Sequence, residues 1–157
     1  MSAIPATQVQ SQPGISQIPR LLAENPIPSV QPEFLHKISA GFPSPASDYI
    51  EDGLDLNAYL VQHKAASFFF NVEGESMCGA GIMPGDKVLV DRAVNAVHGH
   101  IVVAVIDAEY TLKRLFRWGG RLELRPENPA FKTIVINDDT GLEIWGVVTG
   151  VIRKYRV

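Results

Sequence analysis

One cysteine, Cys78, is all that the 157 residues contain. A single thiol cannot close an internal disulfide or build a multi-cysteine zinc site. No run of about 18 apolar residues is present, which predicts no membrane-spanning helix. No charged leader precedes an apolar stretch, which predicts no secretory signal. An excess of positive charge is also missing: 14 Lys and Arg stand against 17 Asp and Glu, a formal net charge of −3. Such a chain is not an obvious binder of a nucleic-acid backbone, and no sequence-specific DNA contact is expected of it. Charged residues are scarce at 20% while apolar ones reach 46%. A packed core is therefore expected, and wholesale disorder is not. These features together predict a cytoplasmic protein of one domain with a tail.

What is present is unevenly spread. The first 40 residues carry four charges, Arg20, Glu24, Glu33 and Lys37, whereas eight of the 11 prolines lie at or before Pro45 and five glutamines lie between Gln8 and Gln31. Proline removes backbone donors and forbids helix interiors and central strands. Residues 1–45 therefore read as an extended Pro/Gln-rich arm, mostly without structure of its own. Two short apolar patches in it, Ile18 to Leu22 and Phe34 to Ile38, are candidates for docking.

Residues 46–157 read as a β-rich domain. Asp55 before Leu56, Tyr59 and Leu60 predicts a capped helix of two turns. Strand patterns follow at Ser67 to Glu73, Lys87 to Asp91, Ile101 to Ile106, Glu109 to Phe116, Arg121 to Arg125, Lys132 to Ile136 and Leu142 to Tyr155. Gly146 and Gly150 predict bends or bulges in the last of these. Turn residues separate the runs, as at Pro84-Gly85-Asp86 and Gly119-Gly120. Many short strands with little helix predict a mostly antiparallel, partly closed β architecture. The apolar run from Leu142 to Tyr155 reads either as an edge that a second copy would cover, giving a homodimer, or as an interior strand.

Ser76 lies in Val72-Glu73-Gly74-Glu75-Ser76-Met77, between an apolar strand and the Gly-rich Gly79-Ala80-Gly81. A serine at such a junction can be exposed beside outward-pointing N–H groups, as an acyl-transfer nucleophile requires. A base must then be found. His98 and His100, in a turn before a strand, could serve in a Ser–His arrangement or hold a metal as a pair, although no third ligand stands out. Lys113 shares a strand face with Thr111 and Leu115 by alternation. Facing inward it would be desolvated, its pKa would fall, and it could take the serine proton as a neutral amine. Facing outward it would snorkel to solvent beside Arg114. Alternation alone leaves these readings open.

Several ordered motifs go further. Gly74-Glu75-Ser76-Met77, Gly81-Ile82-Met83-Pro84-Gly85-Asp86, Val88-Leu89-Val90-Asp91, His98-Gly99-His100-Ile101-Val102-Val103-Ala104 and Tyr110-Thr111-Leu112-Lys113-Arg114-Leu115 resemble, in order and spacing, the LexA/UmuD family of self-cleaving Ser–Lys proteins. Leu124 to Phe131 and Ile144-Trp145-Gly146-Val147-Val148 match as well. Upstream, Ala40-Gly41-Phe42-Pro43-Ser44-Pro45-Ala46 is similar to the cleavage region of the UmuD branch. Residues 1–40 are too short and too proline-rich for the three packed helices of a repressor head.

The resemblance implies a serine protease that acts on itself with Ser76 as nucleophile and Lys113 as base. It places the cut between Ala40 and Gly41, with the N–H groups of Glu75 and Ser76 as the oxyanion hole and no cofactor or metal. It implies a homodimer, cleavage promoted by a RecA nucleoprotein filament in the SOS response, and a shortened form that joins a UmuC-like Y-family DNA polymerase in mutagenic translesion synthesis. An interaction-only subunit with vestigial proteolysis and a repressor-type Ser–Lys protease are the alternatives. The sequence departs from the family in its longer Pro/Gln-rich arm and in His100, which stands where an aspartate is common.

Overall fold

The computed structural model describes residues 20–21, 30–34, 40–41 and 50–157. The rest of the sequence-defined arm, including most of its two apolar patches, lies outside the described residues. An eight-stranded antiparallel sheet dominates, built from β1 (Arg20–Leu21), β4 (Ser67–Asn71), β5 (Lys87–Asp91), β10 (Leu142–Ile152), β6 (Ile101–Ile106), β7 (Glu109–Trp118), β8 (Arg121–Arg125) and β9 (Ile134–Ile136), in that spatial order. The sheet ends at β1 and β9 and does not close on itself. A second, two-stranded sheet pairs β2 (Val30–Phe34) with β3 (Ile50–Asp55). Pro32 has no N–H to give to that ladder, and it falls where the register shifts, between Gln31 and Glu33.

The helix α1 spans Leu56–Leu60, one turn rather than the two read from sequence. Its cap is the expected one, with the Asp55 carboxylate accepting from Asn57 N–H at 2.9 Å. The hairpin between β6 and β7 turns at Asp107 and Ala108, both at positive φ, and that between β7 and β8 at Gly119 and Gly120. Paired positive φ values give the turn that matches the twist of the flanking strands.

The two sheet faces bury separate clusters. Phe70, Val72, Met77, Ile82, Val88, Val90 and Val103 form one. Val102, Ala104, Leu115, Leu124 and Val147 form the other. Alternation along β6 sends Val103 to the first and its neighbours Val102 and Ala104 to the second.

β10 decides between the two readings of its apolar run. It lies between β5 and β6 in the middle of the sheet, so its apolar residues are not an open edge. Both sheet faces bury apolar clusters, Val147 lying in one and Trp145 and Val148 packing on the other, and this accounts for the composition of the strand's middle. The expected bends are present: the register shifts between Ile144 and Gly146 and again between Val148 and Gly150. A Cβ at Gly146 would lie 2.7 Å from Val90 Cγ1 and 3.2 Å from Asp91 O, so only glycine lets the strands approach this closely.

Candidate active site

Beyond β4 the chain leaves the sheet through Val72, whose N–H donates to Asp86 O at 2.8 Å and whose carbonyl accepts from Gly85 N–H at 2.9 Å. The following loop is anchored from within by Met77 and Ile82, both almost fully buried. Met77 O accepts from the N–H groups of Ala80 and Ile82, closing a short 3-10 turn over Cys78–Ala80. Ser76 sits on the near side of this anchor. Cys78, in the turn, is a half-buried free thiol.

A second segment, after β8, grips the loop from outside. Glu127 N–H donates to Ser76 O at 2.8 Å, Gly79 N–H donates to Glu127 O at 2.7 Å, and the Asn128 side-chain amide donates to Glu75 O at 2.9 Å. Gly79 permits this clasp, because a Cβ there would lie 2.3 Å from Glu127 O. Glu127 is held in turn by Arg114, which also donates to Gly99 O at 2.7 Å. The sequence reading gave Glu127 and Asn128 no role. Their only signal was membership of the Leu124 to Phe131 motif.

Lys113 comes from β7, opposite Val102 of β6. It is 8% exposed, so the inward reading of its strand face holds. Its Nζ lies 3.0 Å from each of three oxygens: Ser76 Oγ, Thr111 Oγ1 and Leu112 O. Among the described residues no carboxylate pairs with it. Burial without a counter-ion lowers the Lys113 pKa below the usual lysine value, because the charged form loses its hydration. Nζ donates to all three oxygens, and a neutral amine, with only two N–H bonds, would have a lone pair to accept the proton of the Ser76 hydroxyl.

An open cleft runs past these groups, lined by Glu73, Gly74, Tyr110, Thr111 and Phe131 as well as Ser76 and Lys113. It continues into an apolar hollow beside Phe70, Val88, Val103 and Leu112. Along the cleft, β7 from Glu109 to Lys113 pairs with β6, while β8 pairs only from Arg114 onward. Among the described residues the other edge of Tyr110 to Lys113 has no strand partner. Nor does any acceptor among them meet the N–H of Glu75 or Ser76. Ala40 and Gly41 form an exposed bend.

The histidines lie elsewhere. His98 Nδ1 accepts from Arg117 N–H at 3.1 Å, and its ring meets the edge of Phe116 with centroids 5.1 Å apart. His100 Nδ1 accepts from Val97 N–H at 3.4 Å. Neither touches Ser76 among the described residues, and no group of three or more His, Cys, Asp or Glu is placed among them to hold a metal. His63 pairs with the buried Asp91 at 2.6 Å, a contact that the sequence reading did not find.

The Peptidase S24-like family matches residues 32–149. Protein SamA of Salmonella typhimurium is 44% identical over 133 residues, covering 85% of this chain and 92% of SamA. Protein MucA of Escherichia coli is 47% identical over 127 residues, covering 80% of this chain and 86% of MucA. The LexA repressor of Anaeromyxobacter dehalogenans is 40% identical over 120 residues, which are 75% of this chain and 53% of the repressor.

Proposed function

The chain belongs to the S24-like peptidase family as a UmuD-like member of its LexA/UmuD group, and from that membership we propose that it is a self-cleaving accessory protein of SOS mutagenesis. The observation that carries the proposal is the 3.0 Å contact between Lys113 Nζ and Ser76 Oγ inside a cleft. It is a nucleophile held against an uncompensated, desolvated amine, and this pairing suits acyl transfer.

The scissile bond is Ala40–Gly41. Two residues with little or no side chain let the backbone enter a narrow cleft without clash. The open edge of β7 beside Ser76 would grip the extended segment through main-chain hydrogen bonds. Ser76 Oγ attacks the Ala40 carbonyl carbon while its proton passes to neutral Lys113. The N–H groups of Glu75 and Ser76 stabilise the oxyanion. Collapse breaks the C–N bond, and Lys113 returns the proton to the leaving Gly41 amine. Water then hydrolyses the Ser76 ester and releases residues 1–40. No cofactor takes part.

Family membership supports the wider setting: a homodimer, a RecA filament on single-stranded DNA that promotes the cut, and a UmuC-like Y-family polymerase that receives the shortened form. The test is incubation of the purified chain with and without an activated RecA filament, followed by mass measurement. One product beginning at Gly41, absent from Ser76→Ala and from Lys113→Ala, is the expected result. A main product with another first residue would refute the assignment of the cut.

A further inference from the structure

Lys113 lies on β7 and Ser76 in the loop after β4, and β5, β10 and β6 stand between those two strands in the sheet. No strand ladder therefore sets the 3.0 Å separation of Nζ and Oγ. It depends on whatever ties the loop directly to β7. Half of such a tie is main chain: Glu127 N–H donates to Ser76 O and Glu127 O accepts from Gly79 N–H. The other half is Arg114, the residue after Lys113 on β7, whose Nε donates to the Glu127 carboxylate.

The place of this contact is informative. The β7–β8 ladder runs from Trp118 with Arg121 to Arg114 with Arg125 and stops there. Beyond Arg125 the chain leaves the ladder, and two residues later the Arg114–Glu127 contact holds it to β7 again. Arg114 is itself fixed at a second point, since Nη1 donates to Gly99 O at 2.7 Å. Gly99 in turn donates to Leu115 O at 2.8 Å, and Leu115 N–H to His100 O at 2.8 Å. A planar guanidinium bonded at two of its nitrogens cannot turn without breaking one bond. The Arg114 and Glu127 side chains remain 37% and 30% exposed, a setting in which an ion pair adds little to stability. Geometry is a different matter, because a shift of about 1 Å between reacting groups can cost about a hundredfold in rate.

We propose that Arg114 and Glu127 form a positioning pair, which ties the strand carrying Lys113 to the main-chain clasp on Ser76 and so sets the distance from base to nucleophile. Neither side chain takes part in the chemistry. The inference rests on the Ser76–Lys113 reading of the site.

The test reads the reactivity of Ser76 without calling on the arm. A small alkyl phosphonofluoridate phosphonylates an activated serine with loss of fluoride, and its rate of addition to the full chain is followed by mass. Ser76→Ala should take no label. Arg114→Ala and Glu127→Ala, compared at a temperature where circular dichroism shows each folded, should each slow labelling about ten- to a hundredfold. The double variant should be no slower than the slower single one, because both changes break one link. The slowing should be the same at every pH from about 7 to about 9, since a change in distance does not alter the neutral fraction of the base. Arg121→Gln removes an ion pair to Glu123 that has no link to the loop, and should label as the unaltered chain does. Unchanged rates in the single variants, losses that multiply in the double variant, or a slowing that vanishes as pH rises would each overturn the positioning pair and leave the Ser76–Lys113 reading standing. An unaltered chain that takes no label at Ser76 would overturn both.

Discussion

Arg153 holds Asp86 in a two-pronged ion pair, Nε to Oδ1 and Nη2 to Oδ2, each at 2.6 Å. Nη2 also donates to Gly81 O at 2.8 Å, and Asp86 Oδ2 accepts from Met83 N–H at 2.7 Å. A side chain just past the end of β10 thereby closes the segment that follows the Ser76 loop. The Arg153 guanidinium holds the Asp86 carboxyl down at about 2, against an ordinary value of 3.8.

Because the folded pKa is depressed, this ion pair stabilises the fold fully above about pH 4 and loses its effect as pH falls toward 2. Arg153→Ala should destabilise the fold at pH 7, because it leaves the buried Asp86 carboxylate without its charged partner. Urea unfolding across pH 7 to about 2.5 checks the sign. The gap between the unaltered chain and Asp86→Asn should narrow as pH falls, and a constant gap would contradict it.

Self-cleavage without RecA should quicken with pH. Below the Lys113 pKa each unit should raise the rate about tenfold, since the neutral fraction grows in that proportion. The plateau should come below the usual lysine value, because burial lowers this pKa. A histidine base would level off near pH 7 to 8. Changing both His98 and His100 to alanine should leave the profile unaltered.

The same burial makes a stability prediction. The unfolded chain keeps its lysine proton to higher pH than the folded one does. Stability should therefore rise as pH climbs through the folded Lys113 pKa toward the unfolded value. Lys113→Met removes the buried amine and should flatten that rise in a denaturant titration series. It should also be more stable than the unaltered chain at pH 7.

Gly79→Ala should strain the clasp on Ser76. Its Cβ would meet the Glu127 carbonyl oxygen at 2.3 Å, and backbone cannot swing aside as a long side chain can. A cost of about 1–3 kcal/mol is expected, together with slower cleavage measured at a temperature where the variant is folded. Equal rates in the two chains would show that the clasp does not position the serine.

The proposed homodimer needs a surface other than an edge of β10. Val151 and Ile152 at the end of that strand, with Tyr155 beyond it, remain exposed at 41%, 36% and 76%. Val151→Asp should convert a dimer to a monomer by light scattering at micromolar concentration. A monomer in the unaltered chain would remove the proposal.

The sequence by itself determined the elements. Alternating apolar residues marked seven of the strands because one face of each must leave water. Gly146 and Gly150 announced the bulges of β10, and Asp55 the start of α1. Ser76 and Lys113 were legible as candidates because few residue types can act as nucleophile and base. Tertiary structure decided which way Lys113 points, since alternation fixes which residues share a face but not which face is covered. It brought Ser76 to Lys113 although three strands, β5, β10 and β6, separate β4 from β7 in the sheet. It put β10 in the middle of the sheet, where composition alone leaves edge and interior equally open. The clasp of Glu127 and Asn128 was hidden for the same reason: main-chain hydrogen bonds between distant segments leave almost no trace in side-chain pattern.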